Sequence, residues 1–258
     1  MRDTRMTENK KKNTKSGTGR KMTASRAGSS AGKKTDAARA KSTKALNGPD
    51  LAAEMQEEPA KVAFPKPGNF LYPAPPVMVS CGLPGEKPNI ITVAWAGTVC
   101  SDPPMVSISV RKERYSYEIL KKTREFVINL PDRSMAHACD FCGCTTGAKT
   151  DKYAETRLTP GRSTQISAPT IEEAPVSIEC VVKKILPLGS HDMFLAEVKA
   201  VQADSRYMDD RGSFHMEKAD LIAYSHGRYY ALGKMLGSFG YSVRKKKTEK
   251  GGRRRRTQ

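Results

Sequence analysis

From residue 76 onward the chain alternates short apolar runs with breaks rich in Gly, Pro and Asp. The runs 76–82 (PVMVSCG), 89–97 (NIITVAWAG), 105–110 (MVSISV), 125–130 (EFVINL), 176–186 (VSIECVVKKIL), 193–203 (MFLAEVKAVQA) and 220–225 (DLIAYS) are rich in Val and Ile. Apolar runs this short, bounded by turn formers, predict strands. Many short strands in succession predict a sandwich or a barrel. Two segments predict helices instead. In 115–123 (YSYEILKKT) Ser116 is placed to cap the start, and the lysines lie at the far end, where the helix dipole favours them. Segment 134–142 (SMAHACDFC) follows a turn at 131–133. Between the second and third runs, residues 97–104 predict a loop with free backbone groups, because Pro103 and Pro104 cannot continue a ladder. Alternation in 89–97 puts Ile90, Thr92, Ala94 and Ala96 on one face, and Asn89, Ile91, Val93 and Trp95 on the other. The first face is small beyond its start, so a flat ring or another backbone can approach it.

Charge divides the chain differently. The first 50 residues carry 14 basic and 4 acidic side chains, and residues 243–258 carry 9 and 1, which accounts for the whole formal charge of +18. The span 51–242 is neutral, with 22 of each sign. The amino-terminal stretch has too few large apolar side chains to offset roughly 1–2 kcal/mol of backbone entropy per ordered residue. The expected organisation is therefore a basic disordered tail over 1–58, a domain over 59–242 and a second basic tail over 243–258. The tails are solubilising extensions, or in the first case a stretch read from an upstream start codon ahead of Met55, or else segments that bind nucleic acid or an anionic surface by counterion release. Nucleic acid is a candidate partner only through them. There is no apolar signal segment and no membrane-length run, so a soluble, cytoplasmic protein without a membrane partner is expected. Six cysteines in such a chain are expected to be reduced thiols.

Several motifs occur in a fixed order: NIITVAWAGTVCSDPP, RKERYSYEIL, TTGAKTDKY, ISAPTIEEAPVSIEC and GSHDMFLAEV. Together they resemble the flavin reductase-like family of FMN-binding split β-barrels, and its flavoredoxin branch in particular, over about residues 64–243. The resemblance implies a mainly β, Greek-key-related split barrel with a few short helices, a homodimer, and non-covalent FMN at the barrel rim. It also implies an FMN-dependent oxidoreductase that passes electrons from NAD(P)H or a redox-protein donor to flavin, a disulfide or a redox partner. An electron-transfer flavoprotein without nicotinamide activity is the alternative. No Gly-rich dinucleotide loop follows a strand, so NAD(P)H is expected only as a transient substrate over the flavin.

The residues fit the needs of such a ligand. Thr98, Val99, Cys100 and Ser101 offer loop backbone to a uracil-like edge. Asn89 and Thr92 are flavin neighbours by resemblance; Trp95 is either a neighbour or a core aromatic, and Cys100 either lies beside the flavin or is a small buried apolar group. Arg111, Lys112 and Arg114 precede the helix that begins near Ser116, which suits a phosphate. Arg111 and Ser116 are the favoured ligands, Lys112 joins them, and Thr146, Gly147 and Lys152 supply a second polar loop. His191 follows a Gly-Ser turn and is the candidate for contacting the reductant, with a purely structural role as the alternative. Cys139 and Cys142 form a C-x-x-C, and Cys142 precedes Gly143 as in the flavoredoxin branch, so Cys142 is a candidate for electron exchange against an inert thiol. No second ligand pair is spaced to complete a zinc site, so no metal is expected.

Overall fold

Each apolar run becomes a strand because its alternate residues find a buried side. The computed structural model describes residues 60–244, nearly all in a unit that begins at Phe64. The tails expected over 1–58 and 243–258 fall outside the described residues, apart from the first two positions of the second. In chain order the elements are β1 (Val77–Cys81), β2 (Asn89–Val93), β3 (Ala96–Ser101), β4 (Pro104–Arg111), α1 (Tyr115–Thr123), β5 (Glu125–Leu130), α2 (Ala136–Cys144), α3 (Lys152–Thr156), β6 (Pro160–Gly161), β7 (Thr170–Ile171), β8 (Val176–Pro187), β9 (His191–Ala203), β10 (Ile222–Ser225) and β11 (Arg228–Ala231). Seven of the strands form one antiparallel sheet in the order β2-β1-β5-β8-β9-β4-β3.

The sheet is curved strongly enough for its two ends to share a core. Ile91 and Val93 of β2 pack in the same buried cluster as Val106, Ile108 and Val110 of β4, with Phe126, Cys180 and Phe194 from the strands between them. Ile119 and Leu120 of α1 belong to that cluster too. The ladder does not close. The connection after β2 is tied to β4 by one bond, from the Ser109 amide to the Trp95 carbonyl at 2.9 Å. This is the architecture of a split barrel. On the outer face of β1 and β2, Met78 and Ile90 pack against Met135, Ala138, Cys139 and Cys142 of α2 and its approach.

Two expectations around β2 are corrected. The run 89–97 is not one strand: it breaks at residues 94–95 and resumes as β3. Alternation holds from Asn89 to Val93, but the face of Ile90 and Thr92 is covered by α2, whose Gly143 lies so near that a Cβ there would stand 3.3 Å from Thr92 Cβ. At Thr92 the small face is thus approached by another backbone, that of α2. The expected loop 97–104 is mostly strand, because β3 pairs with β4 around a bulge between Thr98 and Cys100, and only the turn at Asp102 and Pro103 leaves the ladder. As an end strand of the sheet, β3 still has one side whose backbone groups take no sheet partner.

Candidate functional site: two adjoining clefts at the split

The open seam of the barrel places backbone and cations side by side. A cleft of about 950 Å³ is lined by the β2 end and the connection after it (Ile91, Thr92, Val93, Ala94 and Trp95), the β4 end (Ser109, Val110, Arg111), Arg114, residues 188–191 less Gly189, and an arm formed by residues 68–71. A second cleft of about 420 Å³ is lined by Asn89, Ile91, Arg111, Glu113, Arg114, Tyr115, Ser116, Thr145, Thr146, Gly147 and Lys152. Ile91, Arg111 and Arg114 line both, so the two adjoin.

The second cleft is built tightly. Asn89, 4% exposed, donates through Nδ2 to Ser116 Oγ at 2.7 Å. Gly147 lies against Asn89, where a Cβ would come within 2.1 Å of Asn89 Oδ1. Lys152 is 3% exposed, and its ammonium donates to the carbonyls of Ile90 (2.7 Å) and Cys142 (2.8 Å). An ammonium has three donors, so one remains beyond these two bonds. Burial holds the Lys152 pKa below the ordinary lysine value, and the nearby Arg114 charge acts in the same direction. Ser116 does not cap α1. The cap position is Arg114, and Ser116 sits one residue inside the helix with its hydroxyl taken by Asn89.

In the larger cleft the β8–β9 turn carries His191. Gly189 takes φ +94, a left-handed value suited to glycine, and Leu188 N–H donates to His191 O at 3.0 Å, closing the turn. His191 pairs with Arg111 across the sheet and has Nδ1 2.9 Å from Ser190 Oγ. Burial lowers its pKa below the ordinary histidine value, and the Arg111 charge lowers it further, both favouring the uncharged imidazole.

The structure thus brings together Asn89, Arg111, Ser116, Thr146, Gly147 and Lys152 in one cleft, and Thr92, Trp95, Arg111 and His191 in the other. Of Thr92 only the body reaches the cleft, since its hydroxyl donates to Cys139 O. Lys112 is turned away, with its ammonium 3.4 Å from Asp192 Oδ1; Arg114 takes the place expected for it. Thr98, Val99, Cys100 and Ser101 line neither cleft. Thr98, Cys100 and Ser101 pair with the far end of β4, with Val99 in the bulge between them: Thr98 opposes Val106, five residues from Arg111, or about 16 Å at roughly 3.3 Å per residue. Cys142 lines neither cleft. It is a fully buried residue of α2, packed against Met78 and Ile90, and burial pushes its thiol to about 11 and that of Cys139 to about 12, which disfavours the thiolate that electron exchange needs. The sequence did not point to residues 68–71, Leu188 and Ser190, or Thr145, because nothing local links them to β2.

A cationic, hydroxyl-bearing cleft adjoining a broader one that is partly apolar offers a place for a phosphate and an attached ring system. The family model for a flavin reductase like domain matches residues 70–233. The chain belongs to the flavin reductase-like family. This is a flavin-binding oxidoreductase family, and the match covers the smaller cleft and all of the larger one except Gly68 and Asn69. Solved structures agree. The flavoredoxin of Desulfovibrio vulgaris (Miyazaki F) is 29% identical with a TM-score of 0.67, covering 72% of this chain and 100% of that one. The flavoredoxin from Methanosarcina acetivorans is 26% identical with a TM-score of 0.63, covering 71% and 100%. Within the flavin reductase-like family, the FMN reductase (NADH) RutF of Acinetobacter baylyi is 30% identical over 110 residues, 42% of this chain and 56% of that protein. No helix among the described residues is long and apolar enough to cross a membrane.

Proposed function

We propose that this chain binds FMN, with the phosphate in the smaller cleft and the ring in the larger, and passes electrons between a reduced donor and an acceptor. The observation that carries this is the adjacency of the two clefts, which share Ile91, Arg111 and Arg114 in their walls. Arg111, Arg114 and the spare donor of Lys152 neutralise the phosphate, while Ser116 and Thr146 hold hydroxyls at its cleft. The close fit of Gly147 on Asn89 keeps that cleft open where any side chain would fill it. The unladdered backbone at residues 94–95 meets the polar edge of the ring. Bound FMN supplies the redox chemistry, accepting and releasing electrons. His191, whose pKa is lowered by burial and by Arg111, is a hydrogen-bonding partner at the ring's cleft.

NADH is the donor named for the RutF relative, and a redox-protein donor is the alternative reading. Exposed Leu232, Met235, Leu236 and Phe239, on one carboxy-terminal stretch, support a homodimer. Trp95 is the single tryptophan and lines the larger cleft, so FMN uptake is read as quenching of its fluorescence. The test is an FMN titration of the apoprotein followed by anaerobic reduction with NADH, NADPH and reduced ferredoxin. Saturable quenching and a bleachable visible spectrum are expected. Unquenched Trp95 at high FMN would sink the proposal, and the reductant that bleaches the protein identifies the donor class.

A further inference from the structure

Where β4 and β9 meet the clefts, one buried carboxylate faces away from both. Arg111 opposes His191 and Val110 opposes Asp192 in the ladder, so Arg111 and His191 share the cleft side while Asp192 points into the end of the barrel. Asp192 is 5% exposed and lines neither cleft. Its Oδ2 accepts the Tyr117 hydroxyl at 2.6 Å. Its Oδ1 has no hydrogen-bond partner among the described residues and lies 3.4 Å from the Lys112 ammonium. Tyr117 is itself buried and packs edge-on to Phe194, with 5.7 Å between centroids and 79° between planes. The Tyr117 bond holds the Asp192 carboxyl below the ordinary carboxylate range, and Lys112 acts in the same direction.

These two contacts bracket the stretch that supplies the smaller cleft with its cations. Arg114 N–H donates to Arg111 O at 3.1 Å and Tyr117 N–H to Arg114 O at 2.8 Å, so the chain makes two successive turns between β4 and α1. Arg111, Arg114 and Ser116, which line the cleft, lie beside or between the two residues that Asp192 grips. A buried ion pair seldom adds stability over apolar side chains of the same size, so packing alone does not account for a carboxylate at this place. We propose that Asp192 is a positioning residue: by gripping Lys112 and Tyr117 it fixes the run of the chain from Arg111 to Ser116, and so sets the affinity of the smaller cleft for the phosphate of FMN without touching it. This inference rests on the FMN assignment above. Charge alone predicts the opposite sign. Removing the carboxylate takes a negative charge from beside a cationic cleft and frees the Lys112 ammonium, which by itself would tighten the hold on an anion. Loss of position weakens that hold, because a charge-assisted bond depends steeply on distance and angle.

The test uses the full chain as wild type, Asp192→Asn, Tyr117→Phe and the double variant. Asparagine keeps the shape of the side chain; phenylalanine removes only the hydroxyl and leaves every charge in place. FMN and riboflavin are titrated separately against each apoprotein by Trp95 quenching, and folding is checked by circular dichroism. Asp192→Asn is expected to raise the Kd for FMN about tenfold and to leave that for riboflavin unchanged. Tyr117→Phe should raise the FMN Kd severalfold, again sparing riboflavin. The double variant should lose less than the product of the two single effects, since both act on one bond. Unchanged or tighter FMN binding in Asp192→Asn overturns the inference, because the carboxylate would then act through its charge or not at all. An equal loss for FMN and riboflavin also overturns it, as the sign of a general loosening of the barrel end. Should Asp192→Asn fail to fold, Tyr117→Phe decides by the same two comparisons. Wild type that binds FMN no more tightly than riboflavin removes the phosphate assignment itself, and the inference with it.

Discussion

Gly147→Ala sets two physical effects of opposite sign against each other. Gly147 is not among the glycines with a left-handed backbone, so alanine fits its conformation and, by restricting the unfolded chain, would stabilise by about 0.4–1 kcal/mol. Space decides otherwise. The added Cβ would stand 2.1 Å from Asn89 Oδ1, 2.6 Å from Asn89 Cγ and 2.8 Å from Tyr115 Cδ1. Asn89 cannot swing aside without losing its 2.7 Å bond to Ser116, and both of those residues are buried. Overpacking of this kind costs about 1–3 kcal/mol, which exceeds the entropic gain. At about 2–4 °C per kcal/mol for a domain of this size, thermal unfolding monitored by circular dichroism is expected to shift downward by several degrees. FMN affinity should fall as well, because relief of the clash moves Thr146 and Gly147 away from the phosphate cleft. The pair Asn89→Ala and Gly147→Ala removes two of the three close atoms, so the double variant should be less destabilised than the sum of the single variants. A Gly147→Ala protein as stable as wild type with undiminished FMN affinity would refute the packing of the loop against Asn89, and with it the shape of the phosphate cleft.

Other outcomes follow from burial and charge. Thiol titration of the native protein with a disulfide reagent at pH 8, mapped by mass spectrometry, should label exposed Cys144 and spare Cys139 and Cys142, whose thiols are buried and raised to about 12 and about 11; rapid labelling of Cys142 would contradict its burial. Glu179, fully buried, accepts from the Thr164 amide (2.8 Å) and hydroxyl (2.9 Å), the Gln165 amide (2.7 Å) and Gln202 Nε2 (2.9 Å). Burial alone would raise its pKa, but the bonds from the Thr164 and Gln165 amides outweigh that and lower it below the ordinary 4.5. The folded carboxylate therefore binds protons more weakly than the unfolded one, so its stabilisation is present above about pH 4.5 and is lost as pH falls below it. Denaturant unfolding from pH 6 down to pH 3 should show a shallower acid loss in Glu179→Gln than in wild type, and parallel curves would exclude the linkage.

The barrel was legible in the sequence wherever a strand is half-buried. The runs that became β1, β4, β5, β8 and β9 have one side in a common core, so their composition and alternation report the fold directly. Legibility failed where tertiary contact decides. Residues 93–97 read as one continuous apolar run, and only the need to turn toward β4 breaks the strand at residues 94–95. Edge strand β3 looked like a loop because an end strand needs no continuous apolar face. Helix α3 and strands β6 and β7, of five, two and two residues, are shorter than any period that could announce them. Of the two clefts, the lining of the smaller was legible because the stretch from Arg111 to Ser116 and the loop from Thr146 to Lys152 each supply it locally. The larger draws its walls from residues 68–71, 91–95 and 109–111 and from Leu188, Ser190 and His191, and only the barrel's curvature brings them together.

The buried lysine makes the phosphate cleft testable without any redox assay. A cation that is 3% exposed, with its pKa lowered first by burial and further by Arg114, is held at a cost that an anion in the cleft would relieve. Two of its donors are already occupied by the Ile90 and Cys142 carbonyls, which fixes the third in place. Lys152→Met removes the desolvated charge and leaves two carbonyls without that donor, and these effects oppose one another in the apoprotein. Its thermal midpoint should therefore move little. In the FMN complex only loss remains, since a charge-assisted bond to the phosphate is worth about 1.5–3 kcal/mol, or roughly 10- to 150-fold in Kd. Quenching of Trp95 by FMN measures that ratio, and riboflavin, which lacks the phosphate, is the control: its affinity should be the same in both proteins. Equal FMN affinity in Lys152→Met and wild type would mean that the ammonium serves only the two carbonyls, and the phosphate would have to be sought elsewhere along Arg111 and Arg114.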